Sequence, residues 1–389
     1  MPLDLREIAR LRLRNQRVIG EKLSSPADVV AWLGCVQAQE YSLAKWSVGT
    51  RVAAAAHDAA VEQSLARGEI LRTHILRPTW HFVTPADIRW ITRLTAPRVL
   101  SGSAHRIRWL ELDDAQLGAA NDVIARALAG RKHLTRLELQ AELDRAGLHP
   151  VGQRIAYIVL NAEMSLLVAS GTPRDGKQTY ALLDEFAPPT ATDLEPFDRD
   201  HALADLILRY YTSHGPATVA DFTWWSGISG AETRRGIAAN GTALQSIDVA
   251  GEKFWWAGDH GGSADSRPSP VVHLMQAYDE YVVGYKAPRT PINLDGLASP
   301  AVLRALPFFH HVVVDTQIAG HWRRLAAGPG YRIETALLRA LDSAERAALE
   351  AEVGRYADFA QRPVGYGSSI ETRKPIGRKW RASNSPIAE

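Results

Sequence analysis

The stretch EILRTHILRPTWHFVT, residues 69–84, decides the fold. It holds two runs rich in β-branched and aromatic residues, EILRTHILR and TWHFVT, separated by Pro78, and so reads as a hairpin. Upstream, LDLREIARLRLRNQ carries an imperfect apolar stripe of Leu5, Ile8, Leu11 and Leu13, and further helices are expected near 26–35, 42–54 and 57–67. Three or four helices closed by a two-stranded wing is the winged-helix plan, a variant of the helix-turn-helix that places a helix in a DNA groove.

The same order of elements recurs twice. TPADIRWITRLTAPRVL starts at Thr84 as N-cap with Pro85 at the first helical position. DDAQLGAANDVIARALAG ends at Gly130, and LTRLELQAELDRAG opens on a Thr135–Glu138 capping box and ends at Gly147. GQRIAYIVLNAEMSLL is the next helix, and LLVASGTPRDGKQTYALL is a hairpin. The third unit runs from DRDHALADLILRYYTSHG through two short helices to LQSIDVAGEKFWWAG, a hairpin turning at Gly251. DEFAPPTATDLEPFD reads as a linker between the second and third units. Beyond about 270, VVHLMQAYDEYVVGYK, FFHHVVVDTQIAGHWRR and YRIETALL read as β-rich, DSAERAALEAEVGRYADFAQ as a long helix, and the last 20 or so residues as a mobile basic tail. The expected fold is therefore α+β. Winged helices span 1–84, 85–190 and 191–270, and a β-rich C-terminal part with a basic tail spans 271–389. The repetition is architectural, since no residue-level repeat accompanies it.

Composition fits a folded soluble chain, with 46% hydrophobic and 23% charged residues. One cysteine, Cys35, excludes an intrachain disulfide and a Cys-rich metal site. No signal peptide and no membrane-spanning run is legible, so a cytoplasmic, nucleoid-associated protein without membrane partners is expected. Residues 1–110 carry 16 Lys and Arg against 9 Asp and Glu, a net +7, which leaves −5 for the remainder of the chain's +2. The cations are mostly arginine, 37 against 8 lysines. A basic N-terminal third suits a polyanionic partner, although a solvated helical surface has the same composition.

Between the helices near 26–35 and 42–54 lies VQAQEY, residues 36–41, with neutral amides at Gln37 and Gln39. On a helix, residues two apart lie about 200° apart, whereas on extended chain they point the same way. The two glutamines can converge only if residues 36–40 are extended or turned, with Ala38 facing into packing. A glutamine has no titratable group, but its carbonyl and amino groups can hold a water.

Four blocks occur in order: QAQ at 37–39, LRTHILRPTWHFV at 71–83, YDEYVVGYK at 278–286 and VVVDTQIAGHWRR at 312–324. Together they resemble the AlkZ/YcaQ family of winged-helix DNA glycosylases over nearly the whole chain. The tripeptide ends in Gln39, as in the AlkZ branch, rather than in the aspartate of the YcaQ branch. The resemblance implies three tandem winged helices around a basic concave cleft with a β-rich C-terminal part. It implies hydrolysis of the N-glycosidic bond of N7-alkylated purines and unhooking of interstrand crosslinks. It further implies a role in DNA repair and in self-resistance to a DNA-crosslinking antibiotic. Gln37 and Gln39 are the catalytic pair it points to, in a protein expected to act as a monomer on duplex DNA carrying alkylated purines or crosslinks. The chemistry suits two amides. An N7-alkylpurine is already cationic, its departure neutralises it, and positioning a water can suffice without a general acid.

The family also uses a β-hairpin in its DNA cleft, which counting strands places at about 311–324. Thr316 and Gln317 would sit near its tip, with His321, Arg323 and Arg324 following; the other reading is a sheet edge with solvated arginines. On the first hairpin, Arg77 is the better phosphate contact than Arg72, and His81 reads as a structural or phosphate-contacting histidine. His74 and His81 lack the further ligands a metal site needs, so neither metal nor other cofactor is expected. Glu40 reads as a salt-bridge partner, and most tryptophans as core, with one exposed member free to stack on a base. The rival class is a non-catalytic winged-helix regulator, which shares the basic face.

Overall fold

Local capping fixes where the helices begin. The computed structural model of the chain describes residues 3–53, 56–258, 269–286, 289–299, 302–303 and 308–370; the basic tail lies outside them. Asp4 caps α1 (Leu5–Asn15), Ser25 caps α2 (Pro26–Leu33), and Glu40 stands at the N-cap of α3 (Tyr41–Gly49), followed by α4 (Asp58–Ala66). Then β2 (Leu71–Ile75) and β3 (Arg77–Val83) form the hairpin read from residues 69–84, and β1 (Val36–Gln37) adds to it in the order β1-β3-β2.

The second group follows. Thr84 precedes α5 (Pro85–Trp109) as expected, but its hydroxyl donates to Asp87 Oδ2 at 2.8 Å instead of capping the backbone. Helices α6 (Asp114–Leu128), α7 (Arg136–Arg145) and α8 (Arg154–Met164) lead to the sheet β4-β6-β5, where β4 is Leu134–Thr135, β5 Val168–Arg174 and β6 Lys177–Leu182. The Thr135–Glu138 capping box is present. The segment expected as a linker holds two short helices, α9 (Leu183–Phe186) and α10 (Ala191–Leu194). The third group is α11 (Arg199–Ser213), α12 (Val219–Ser226), α13 (Gly230–Asn240) and the hairpin of β7 (Leu244–Val249) with β8 (Glu252–Ala257). Its turn residues Ala250 and Gly251 both have positive φ, 52° and 81°, the geometry of a tight hairpin turn.

The C-terminal part is a five-stranded sheet, β13-β12-β11-β10-β9, with a helix that we number α15 (Ser343–Ala360) against it. The strands are β9 (Val272–Met275), β10 (His310–Val314), β11 (Gln317–Ala327), β12 (Gly330–Leu337) and β13 (Val364–Ile370). The expectation that VVHLMQAYDEYVVGYK is β-rich holds only to Met275. YDEYVVGYK forms a turn and a one-turn helix, α14 (Glu280–Val283), because the Asp279 carboxylate accepts the Tyr281 N–H and caps it.

The interior is shared between segments. Val29, Trp46 and Phe82 pack in one cluster with Leu274, Trp322, Tyr356 and Phe359, so the first hairpin group and the C-terminal sheet have a common core. Leu71, Ile75 and Val83 pack instead with Tyr210, Phe222 and Trp225 of the third group. The second group has its own cluster around Leu139, Ile158 and Tyr180, which Trp80 joins from the first hairpin.

Two consecutive carboxylates at the start of α14 tie these bodies together. Asp279, 2% exposed, receives both Arg51 Nη atoms, at 3.0 and 2.8 Å, and the Ser47 hydroxyl at 2.5 Å. Burial opposes ionisation of Asp279, but Arg51 and Ser47 outweigh it and hold the carboxyl below its ordinary range. Removing one partner of such a pair strands a charge in the interior. Asp279→Ala is therefore expected to lower the unfolding free energy by about 3–5 kcal/mol in urea denaturation.

Candidate active site around Gln37 and Gln39

The chain enters the site from Gly34, the C-cap of α2, whose φ is 77°. It is then extended through β1 and bends at Gln39 before α3. Gln37 pairs with His81 across the β1–β3 ladder. Ala38 continues the pairing through its N–H to the Trp80 carbonyl at 2.7 Å, and is fully buried as expected.

The backbone groups of Gln37 and Ala38 are held. Gln37 N–H donates to Glu280 Oε1 at 2.9 Å, and the Gln37 carbonyl accepts from Gln276 Nε2 at 3.3 Å. The Ala38 carbonyl accepts from Arg72 Nε and Nη2 at 3.1 and 3.0 Å. Arg72 is itself buried, its guanidinium 4.1 Å from the centre of the Trp80 ring. Arg72 thus serves the loop from behind rather than a phosphate.

The side-chain amides are oriented by donors. Arg77 Nη2 donates to Gln37 Oε1 at 2.9 Å, and Trp80 N–H donates to Gln39 Oε1 at 3.3 Å. Guanidinium and backbone N–H groups can only donate, so both glutamines must turn their oxygens toward them. A carbonyl oxygen has two lone pairs, and each keeps one. Gln37 is 5% exposed and Gln39 half-buried, so Gln37 lies deeper.

Beneath Gln37 lies Glu280, fully buried. Its Oε2 accepts from Trp225 Nε1 at 3.0 Å and faces His214 Nε2 at 3.3 Å. Glu280 also faces Arg77, whose guanidinium burial would otherwise weaken: burial lowers the Arg77 pKa and the carboxylate raises it. Arg77 also donates from Nη1 to the Trp224 carbonyl at 3.1 Å, and its guanidinium is 5.6 Å from the Trp224 ring. Trp224 is 42% exposed, and its Nε1 donates to the Val283 carbonyl at 3.0 Å. Trp109 is more exposed, at 62%, but Trp224 is the exposed tryptophan beside the glutamines, and sequence reading could not single it out because its neighbours come from α14 and β3.

Glu40 faces His310, with Oε2 3.4 Å from Nε2. His310 Nδ1 accepts the Ala277 N–H at 2.9 Å, and burial first, then Arg324 and His321, push its pKa down to about 3. The ring is neutral at pH 7, so Glu40 meets an N–H rather than the cation expected for a salt bridge.

The remaining expected DNA contacts are placed differently from one another. His81 is fully buried, its Nδ1 bonded to the Thr79 carbonyl at 2.8 Å, so it is structural rather than groove-facing. The turn at 315–316 is also interior. Asp315 accepts from Val271 N–H at 2.8 Å, and Tyr281 OH donates to the Thr316 carbonyl at 2.9 Å. Gln317 is spent on Pro291 O, Thr316 Oγ1 and Leu294 N–H. The structure thus corrects the placement of a protruding hairpin at 311–324: Thr316, Gln317 and His321 are buried in the sheet. Arg323 pairs with Glu334 at 2.6 Å, and Arg324 donates to Tyr356 OH and Ser42 Oγ at 2.9 and 2.8 Å. The hairpin that does protrude is the next one, β11–β12, whose residues 325–329 are exposed. It turns at Gly328, with φ 55°. Arg324 joins its base to Ser42, three residues after Gln39.

Among the described residues, no group of three or more His, Cys, Asp or Glu is placed to hold a metal ion, and no helix is long and apolar enough to cross a membrane.

Residues 30–359 match the family model for AlkZ-like DNA glycosylases. The chain belongs to that family. A curated relative, the interstrand DNA cross-link repair glycosylase of Streptomyces sahachiroi, is 26% identical over 343 residues, covering 83% of this chain and 88% of its own. The solved structure of Streptomyces sahachiroi DNA glycosylase AlkZ superposes with a TM-score of 0.72 at 21% identity, covering 95% of this chain and all of that one. The AlkZ-like assignment makes this chain an enzyme that hydrolyses N-glycosyl bonds in DNA, which sets aside the regulator reading.

Three histidines held neutral by burial set an acid limit on this site. Burial pushes His81 and His310 to about 3 and His321 to about 4, from an ordinary value near 6.5. On unfolding, each gains a proton once the pH is below about 6.5. Their stability contribution is therefore complete above that pH and is lost as the pH falls toward the folded values. Urea unfolding free energy is expected to decline from pH 6.5 downward, approaching about 4 kcal/mol per pH unit near pH 5 if all three act. A flat profile from pH 7 to 5 contradicts neutral burial.

Proposed function

We propose that this chain is a monofunctional DNA glycosylase that releases cationic N7-alkylpurines and unhooks N7-linked interstrand crosslinks, using a water held by Gln37 and Gln39. The observation that carries this reading is the orientation of the two amides. Each carbonyl is fixed by one donor and has one lone pair left. Two such oxygens can accept both hydrogens of one water, whose own lone pair then faces C1′. As the bond to the base lengthens, positive charge grows on the sugar, and the carbonyl dipoles and the buried Glu280 carboxylate stabilise it. The C1′–N bond breaks as the water oxygen bonds to C1′; the base leaves as a neutral purine, so no protonated acid is required, and the proton lost by the water passes to solvent. A lyase step needs an amine nucleophile, and Lys45, the nearest lysine in sequence, is paired with Asp58 and Glu62 at 2.9 and 2.6 Å.

DNA binding in this reading uses the exposed Trp224 face beside Arg77 and the β11–β12 hairpin, with duplex DNA lying between them and the protein acting as a monomer. The crosslink-repair role of the Streptomyces sahachiroi relative supports the substrate class. An open site suits a lesion that spans both strands, and repair of such lesions would protect a cell from a DNA-crosslinking antibiotic.

Single-turnover release of 7-methylguanine from duplex DNA is the direct test. Gln37→Ala and Gln39→Ala are each expected to slow release by about ten- to a thousand-fold, with undamaged duplex binding unchanged. Hypoxanthine, a neutral lesion, is expected to be a poor substrate; its efficient release would reveal a general acid, with Glu40 the first to examine. Shortening the β11–β12 turn at Gly328–Pro329, or Trp224→Ala, should weaken lesion-DNA binding while leaving thermal stability near wild type. Unchanged binding in both variants would move the DNA surface elsewhere.

A further inference from the structure

On the opposite side of the first hairpin from Gln37 is a cavity of about 260 Å³ that the proposed chemistry does not use. Its walls are aromatic: Trp80 from β3, Tyr157 from α8 and Tyr180 from β6. Three guanidiniums line it, Arg98, Arg106 and Arg136, and no aspartate or glutamate does. Arg98 is exposed and has no ion pair or hydrogen bond among the described residues. Arg136 bonds the Tyr180 hydroxyl, and Arg106 donates from Nε to the Gln153 amide oxygen at 3.1 Å while lying 3.9 Å from the Trp109 ring. All these partners are neutral, so the positive charge is not cancelled locally. Glu163, the nearby buried carboxylate, is already taken by His74 at 2.6 Å.

We infer that this cavity takes one unpaired nucleotide, with its base against the aromatic wall and its phosphate on the arginines. Aromatic faces accept any base, and guanidiniums match phosphate oxygens. The position favours a nucleotide of the bound DNA strand. Arg77, which holds Gln37, and Pro78, which lines the cavity, are successive residues at the start of β3. Successive strand residues face opposite sides, so a strand crossing this turn can put the lesion at the glutamines and a neighbour at the cavity. The site is also mechanically joined to the amides: Trp80 forms the cavity wall, stacks on Arg72, and donates its N–H to Gln39.

The assignment of the DNA strand as source rests on the glycosylase reading, and its test is separable from that reading. The full chain is titrated with two 7-methylguanine duplexes, one fully paired and one with a single unpaired guanine beside the lesion. Wild type is expected to bind the second about tenfold more tightly, the gain of one stacked base. Gly102 lines the cavity, and a Cβ there meets no atom within 4 Å, so Gly102→Phe has open space at its Cβ and brings a bulky side chain to the cavity lining. It also removes a glycine from the interior of α5, which favours the helix. Gly102→Phe and Arg98→Glu should each bring the preference below about twofold, with release of 7-methylguanine from the paired duplex at the wild-type rate. In a parallel arm, dGMP is added to wild type and Gly102→Phe in a thermal-shift assay. Stabilisation of wild type alone, without a preference for the unpaired guanine, keeps the site and makes a free nucleotide its ligand. Absence of both effects, or effects that survive in both variants, overturns the inference. Failure of wild type to release 7-methylguanine at all would count against the glycosylase chemistry, while the binding preference is read independently.

Discussion

The hydrogen bond from Gln37 N–H to the Glu280 carboxylate organises this molecule. A buried carboxylate without partners is costly by several kcal/mol, so Glu280 is tolerable only where donors converge on it. They come from three places: the β1 strand through Gln37, α12 through Trp225, and the end of α11 through His214. The preceding residue, Asp279, does the same for α3 through Arg51 and Ser47. A four-residue helix thereby fixes the relative position of the first and third helical groups and of β9, the strand of the C-terminal sheet that precedes it. Gln37 sits where it does because of a residue 243 positions away.

The rest of the site follows from that anchor. With its backbone held, Gln37 can meet Arg77, and Arg77 in turn reaches Trp224. The guanidinium beside Gln37 would oppose a cationic lesion were it alone. The nearby Glu280 carboxylate offsets it, so the floor of the site carries charges of both signs, with polarised amide oxygens above it. Such an arrangement suits a reaction in which the leaving group loses charge and the sugar gains it.

What could be read from sequence was local. Ala250–Gly251 specified its turn, Thr135–Glu138 its helix start, and the two-residue spacing of the glutamines required a non-helical link, which is what β1 and the bend at Gln39 provide. The block YDEYVVGYK was informative as a signature but misleading as a pattern. Its tyrosines and valines resemble a strand, whereas Asp279 and Glu280 point inward to partners that no local pattern reveals. The hairpin at 311–324 was misplaced for the same reason. Asp315 and Gln317 look like a polar exposed turn, yet each is satisfied by distant backbone, Val271 for one and Pro291 and Leu294 for the other. Gly328-Pro329-Gly330 marks a turn in sequence, but the exposed residues 325–329 carry no charge, so nothing there pointed to a DNA contact. Arg323 and Arg324 were legible as basic residues on a strand, but not as the internal ties that they are.

The most direct measurement is single-turnover release of 7-methylguanine by Glu280→Gln, read beside duplex binding and thermal stability. A glutamine keeps the shape and can still accept the Gln37 N–H, but it removes the charge and turns donors toward Trp225 or His214. If Glu280 both fixes the glutamines and stabilises the developing sugar cation, release falls by at least about tenfold in folded protein that still binds DNA, the loss expected for one preorganised electrostatic group. Release at the wild-type rate from that folded, DNA-binding variant would contradict the account.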